Sequence, residues 1–275
     1  MKLKISVLSL IVSTSGLAYA QDSNSLTIDG QVLVTETAAP AHMENVDTIY
    51  SGWRFRSEET QAMEMDDFDN PGFVFLDQAY ELWDSVEGTE GKSCASCHEA
   101  EDFAGLRAQL PRVEGENLVT LEDLINRSRV EHMGAEPWKW SGTQMTAMTA
   151  LIGLQSRGLP MDVAIDGDAK PFWEAGKEIY YTNVGQLDMA CSSCHEDNYG
   201  MMIRADHLSQ GQINGFPTYR LKNAKLNSIH GRFKGCMTNI RATPFKEGGA
   251  EFKALELYLA SRSEGLSVET PSVRN

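Results

Sequence analysis

Apolar residues recur at helical spacing in several stretches of this 275-residue chain. Phe75, Leu76, Ala79, Leu82, Trp83 and Val86 keep a 3.6-residue period and stop at Gly88, which predicts one helix. Pro171, Phe172, Ala175, Ile179 and Tyr180 predict a second. Met145 to Leu154 and Phe252 to Ala260 predict two more, both amphipathic, and these close alike, in Gln155-Ser156-Arg157-Gly158 and Ser261-Arg262-Ser263-Glu264-Gly265. A further helix begins after Thr120, where Thr120-Leu121-Glu122-Asp123 has the form of a capping box. Along it Leu121, Leu124, Ile125, Ser128 and His132 share one face, while Arg127, Arg129 and Glu131 are expected to point away. Residues 21 to about 62 are polar and irregular, with a candidate short strand at Gln31 to Val34, and are expected to wrap the first domain. No sustained alternation marks any other strand, so the fold is expected to be mainly α.

These helices fall into two sets. Ala135-Glu136-Pro137-Trp138-Lys139 matches Ala242-Thr243-Pro244-Phe245-Lys246 at an offset of 107 residues, which argues for an internal duplication. The expected organisation is an N-terminal domain with its extension over 21–155, a Gly- and Asp-rich linker over 156–170, and a C-terminal domain over 171–275.

The first residues read as an export signal. Met1 to Lys4 is basic, Ile5 to Leu17 is largely apolar, and Ala18-Tyr19-Ala20 is a small-residue cleavage site, so 1–20 is expected to be a signal peptide. That run is too short to span a bilayer, no later segment approaches spanning length, and the expected compartment is the periplasm. Loss of Lys2 and Lys4 leaves 22 basic against 39 acidic side chains, a balance of −17. Such acidity excludes nucleic acid as a partner, fits solubility or the steering of a basic redox partner, and requires local arginines at any anionic substrate site.

Chemistry enters with five cysteines. Four form two C-x-x-C-H motifs, Cys94-Ala95-Ser96-Cys97-His98 and Cys191-Ser192-Ser193-Cys194-His195. This is the attachment pattern of c-type haem: two thiols three positions apart add to the two porphyrin vinyl groups and the adjacent histidine reaches the iron. A single copy would also suit a redox dithiol or half of a zinc site. A zinc pairing brings its two halves within roughly 20 residues, whereas these motifs start 97 residues apart. Two covalent haems are expected, one per domain, bound through Cys94 and Cys97, and Cys191 and Cys194, with His98 and His195 as axial ligands. The fold class is thus two tandem cytochrome c domains plus an irregular N-terminal extension.

The second axial ligand separates one cytochrome from another. The pool is His42, His132, His207, His230, Cys236 and the methionines. At offset 107, Cys236 falls opposite Arg129, one residue from Ser128 and three from His132, so equivalent stretches carry both candidates. A free thiol in an oxidising compartment is readily understood when iron or chemistry occupies it. Cys236 is the candidate for the second haem, with His207 and His230 as rivals. His132 is the candidate for the first, with Met133 or an open sixth position as alternatives. Arg232, Lys234 and Arg241 flank Cys236, and the planar fork of Arg232 suits sulfonate oxygens.

Gly231-Arg232-Phe233-Lys234-Gly235-Cys236-Met237-Thr238-Asn239-Ile240-Arg241, followed by Pro244-Phe245, resembles the active-site stretch of the SoxA family, the catalytic dihaem cytochromes of the thiosulfate-oxidising Sox system. Asn126 to Trp140 resembles the corresponding stretch of the first domain, and the likeness extends from about Trp53 to Gly265. The resemblance implies L-cysteine S-thiosulfotransferase activity in a heterodimer with the monohaem cytochrome SoxX, joining thiosulfate to a cysteine of the carrier SoxYZ and passing two electrons to a cytochrome c acceptor. It implies that Cys236 ligates iron and carries a persulfide, and that Arg232 holds substrate. The family's first-domain cysteine ligand is replaced here by Ser128. Two other readings remain, a dihaem thiosulfate dehydrogenase forming tetrathionate and an electron carrier without catalysis.

Overall fold

The computed structural model describes residues 25–275; the leader expected at 1–20 lies outside the described residues. Among the described residues are eight α-helices: α1 (Glu58–Met65), α2 (Phe73–Asp84), α3 (Leu121–Met133), α4 (Thr143–Leu154), α5 (Lys170–Tyr181), α6 (Cys191–His195), α7 (Ile229–Asn239) and α8 (Ala250–Ser261). The four periodic apolar runs correspond to α2, α5, α4 and α8. Leu76, Ala79 and Trp83 turn inward from α2, whereas Val86 lies beyond its end and is exposed.

The first and last long helices of each repeat pack together, α2 on α4 and α5 on α8. On α5 the contact is made at Gly176, where a Cβ would collide with the backbone carbonyl of Ala254. Glycine is required there because two helix backbones touch. The closing helices are not amphipathic as expected: Met145 through Gly153 and Ala254 through Ser261 are buried on every side. Each is enclosed by its own repeat on one flank and by the opposite repeat or the C-terminal segment on the other, so no polar stripe remains.

The duplication is visible in backbone detail. Before each motif a left-handed glycine, Gly88 or Gly185, rests on the end of α3 or α7, against the carbonyl of Met133 or Ile240. The Ser93 amide donates to Ser96 Oγ, and the Ala190 amide donates to Ser193 Oγ. Past the closing helices, Gly158 and Gly265 adopt φ of 83° and 81°. The segments that follow pair with each other: Gly158 N donates to Val268 O, Met161 N to Leu266 O, Gly265 N to Met161 O and Val268 N to Leu159 O. The start of the linker expected at 156–170 is therefore a hydrogen-bonded seam between the repeats.

Eleven strands of two or three residues accompany the helices. In the extension, β1 (Leu26–Ile28) pairs antiparallel with β2 (Gln31–Leu33), and β3 (Glu36–Ala38) with β4 (Thr48–Tyr50). The extension was expected on the first domain, yet much of it lies on the second. Val34 and Ser267 exchange hydrogen bonds, Tyr50 N donates to Gln210, and Met43, Val46 and Ile49 cluster with Leu266. Its apolar side chains cover the seam, a surface that the helical pattern leaves uncovered. Near the first motif lies the hairpin β5 (Arg112–Glu114) and β6 (Asn117–Val119). Near the second lie β7 (Met202–Ile203) and β8 (Asp206–His207), then β9 (Thr218–Arg220), which pairs antiparallel with β10 (Lys225–Asn227) and parallel with β11 (Ser272–Arg274). Strands this short show no period of two, so the sequence pattern around both motifs reads as strand-free.

Between the repeats is a buried charged cluster. Glu122 at the start of α3, Glu256 on α8, His230 on α7 and Arg107 are all buried. His230 Nδ1 accepts from Gly248 N, its Nε2 lies 3.0 Å from the Glu256 carboxylate, and its ring stacks on Trp140. Burial, then the nearby Glu256 charge, push the Glu122 carboxyl up to about 7.

Two outcomes are expected. Gly176→Ala forces α5 off α8 and lowers stability by about 1–3 kcal/mol, read as a lower denaturant midpoint with an unchanged m-value. The second concerns Glu122, whose folded pKa lies above its ordinary value of 4.5. The folded state then holds the extra proton, and stability falls as pH rises from about 4.5 to about 7. Glu122→Gln is expected to match the parent below that window and to exceed it increasingly through it, measured as the midpoint difference across a pH series.

Candidate functional site

The first motif opens with a short 3₁₀ turn over Cys94–Ser96, from which Cys97 N and His98 N both donate to Cys94 O. This turn sets both thiols and the imidazole on one wall of a cavity of about 480 Å³. Trp83, Leu124, Trp138 and Ile152 make its sides, and α3 faces it with Ser128, His132 and Met133. The volume and apolar lining suit a cofactor of porphyrin size. Asn126 fixes one side by a paired contact, donating to Trp138 O and accepting from Trp138 N. Arg129 does not point away to solvent as expected. It is buried, ion-paired to Glu87 at 2.7 Å, and lies 3.9 Å over the Trp138 ring, because it faces the loop at Gly88 that the repeat packs against α3. Ser128 and His132 are exposed on the cavity side.

The second motif lies on α6. His195 Nδ1 is 2.7 Å from the Ser209 carbonyl and donates to it, which leaves Nε2 as the ring nitrogen turned toward α7 and able to hold a metal. Gly211 keeps this ring in place: a Cβ there would lie 3.1 Å from the imidazole. The next residue, Glu196, is bound by Arg262 and by Tyr181 Oη at 2.7 Å. Arg262 is fully buried at the end of α8 and stacks on Tyr180, tying the motif to the closing helix.

Opposite α6 stands α7, capped by Ser228, whose Oγ accepts from Gly231 N. Arg232 and Cys236 are one turn apart on it and share a face. The Cys236 thiol hydrogen-bonds with His195. Burial pushes its pKa up, but Arg232, that hydrogen bond, the His195 charge and Arg220 together bring it down to about 7. The neighbouring thiols move the other way: burial, then the Cys236 charge, push Cys191 up to about 12 and also raise Cys194. Of the three sulfurs gathered here, only Cys236 is poised as a thiolate near neutral pH.

The remaining sequence candidates are placed as follows. Lys234 is exposed and 3.8 Å from Glu247, and Arg241 is exposed at a left-handed residue after α7. The structure brings neither to the Cys236 thiol. His230 belongs to the buried cluster, with both ring nitrogens facing protein groups, and His207 is exposed in β8, its Nδ1 3.0 Å from the Gly200 carbonyl. One residue that sequence reasoning missed is Arg220. It ends β9, donates from Nε to the Asn275 backbone oxygen, and its charge bears on both Arg232 and Cys236. An arginine 16 residues before the cysteine, on a three-residue strand, carries no periodic or motif signal.

Two sulfurs and an imidazole on one wall, repeated beside a second histidine that faces an activated cysteine, match covalent haem with protein ligands to iron. The chain matches the family described as SoxA/TsdA, cytochrome c domain, over residues 78–161 and 175–268, one motif in each segment. It is 56% identical over 268 residues to the L-cysteine S-thiosulfotransferase subunit SoxA of Rhodovulum sulfidophilum, spanning 95% of this chain and 93% of that protein. To the same subunit of Paracoccus pantotrophus it is 53% identical over 264 residues, spanning 94% and 89%. A chain of the crystal structure of SoxXA from P. pantotrophus superposes with a TM-score of 0.89, covering 93% of this chain and 99% of that one at 53% identity. Fold, site and relatives agree: the chain belongs to the SoxA family of L-cysteine S-thiosulfotransferase subunits.

Proposed function

We propose that this chain is the catalytic, dihaem subunit of a periplasmic L-cysteine S-thiosulfotransferase. It pairs with a SoxX-type monohaem cytochrome, joins thiosulfate to a cysteine of a SoxYZ-type carrier, and passes two electrons to a cytochrome c acceptor. The observation that carries this reading is the placing of Arg232 and Cys236 one turn apart on α7, with the Cys236 thiol against His195 of the second motif and Arg220 alongside. A cysteine whose acidity is raised by two neighbouring arginines suits sulfur exchange with a dianion. Among the described residues no helix is long and apolar enough to cross a membrane.

Cys94 and Cys97 would hold one haem with His98 as axial ligand, and Cys191 and Cys194 a second with His195 and Cys236. When bound, these groups accept electrons one at a time and hand them on. Arg232 presents its guanidinium to the sulfonate of thiosulfate and orients the outer sulfur toward Cys236. Arg220 adds a second positive charge on the same side. The Cys236 sulfur, as thiolate or persulfide, bonds to the outer sulfur with loss of two electrons, and the carrier thiolate then displaces Cys236 and leaves with the S–SO₃⁻ group. The net change is one carrier thiol plus one thiosulfate giving the carrier S-thiosulfonate, one proton and two electrons. Lys234 and Arg241 contribute to the positive rim at the end of α7.

The family description also covers thiosulfate dehydrogenases of the TsdA type. Turnover of thiosulfate to tetrathionate without carrier protein would establish that reading instead.

Cys236→Ser is expected to abolish thiosulfate transfer to the carrier while both haems remain attached, checked by carrier mass and by the denatured mass of the subunit. Substantial residual transfer would exclude Cys236 as the sulfur-bearing residue. Arg232→Ala is expected to lower kcat/KM by roughly 10- to 150-fold, the loss of one charge-assisted contact worth about 1.5–3 kcal/mol, with the haem spectrum retained. Arg220→Ala should act in the same direction, and unchanged kinetics in both variants would place substrate elsewhere.

A further inference from the structure

We propose that His132 is the sixth ligand of the iron held at the first motif, opposite His98, so that this haem has two imidazole ligands and serves as a closed electron relay. The proposal rests on the reading that Cys94, Cys97 and His98 carry a c-type haem.

The geometry of α3 assigns the role. Counting 100° per residue from Ser128, Leu121, Leu124, Ile125 and His132 fall within about 60° of it, and all five line the cavity that the motif faces. Arg129 and Met133 also touch the cavity, but they fall about 100° and 140° away and are otherwise buried in the protein on that flank. Arg129 is occupied there by Glu87 and Trp138. Met133 is 4% exposed, and its carbonyl accepts from Glu90 N where the Gly88 loop closes on the helix end. Between Ser128 and His132, the serine hydroxyl is a poor donor to haem iron and the imidazole a good one, and a guanidinium such as that of Arg127 has no lone pair to give. The His132 ring takes no hydrogen bond among the described residues, so no protein contact must break for it to bind. The contrast with the second repeat is chemical: there a cysteine and two arginines gather beside the motif, here an imidazole faces it while the arginines at the cavity edge, Arg112, Arg127 and Arg129, are ion-paired to Glu114 and Glu87.

The test uses the intact subunit carrying its haems, with electron paramagnetic resonance and near-infrared magnetic circular dichroism of the ferric protein. The expected parent spectrum contains one bis-imidazole low-spin haem. His132→Ala should convert that haem to high spin, and free imidazole should restore the low-spin signal, a rescue that a merely structural histidine would not show. Met133→Leu should change nothing, and Ser128→Cys should introduce a thiolate signature at the first haem. An unchanged low-spin signal in His132→Ala, or a thioether band lost in Met133→Leu, would overturn the assignment with two haems still present by mass. A mass showing no haem on residues 94–98 would overturn the dihaem reading along with it, so the two failures are distinct. No thiolate signature in Ser128→Cys would show that this face of α3 does not meet the iron.

Discussion

The structure hangs on backbone contact between the helix that leads into each haem motif and the buried helix that closes the same repeat. At Gly176 the contact is close enough that a methyl group does not fit, and Tyr180, one turn further, meets Tyr258 and Arg262. Because Arg262 also binds Glu196, the residue after His195, the closing helix fixes the height of the motif and with it the His195 ring. In the first repeat α2 and α4 play the same part, with Trp83 and Met148 reaching from that contact to the cavity wall. A rigid helix pair thus supplies one side of each site, and α3 or α7 supplies the other.

The electrostatics divide the molecule sharply. An overall acidic chain keeps a small basic enclave at Arg220, Arg232 and Cys236, while Arg274 nearby is neutralised by Glu64 and Glu269. Net negative charge repels a dianion at long range, so specificity must come from these few guanidinium groups within a Debye length of the sulfur.

Much of this was legible in the sequence, for reasons that differ by element. Long apolar periods gave the four core helices, and the capping box placed the start of α3 to the residue, since Thr120 and Asp123 make the reciprocal contacts that pattern requires. The motif spacing marked the two stretches on which the cavity wall of the first repeat and α6 of the second are built, and the isolated cysteine pointed to the helix that faces α6. Three things were hidden. Arg129 looks like a solvent residue until the Gly88 loop, forty-two positions earlier in the same repeat, is seen to supply Glu87. The extension lies on the second domain through a backbone pairing that leaves no mark in side-chain type. Arg220 reaches the site by strand register, which three-residue strands do not encode in alternation.

The pairing of Val34 with Ser267 has a consequence for how the protein is assembled. The partners are 233 residues apart, so this contact cannot form until nearly the whole chain has been made. Contacts of such sequence separation form late. Closure of the extension over the seam thus ties the first described strands to the last part of the fold, and cutting the chain in the extension would free both ends of the contact at once.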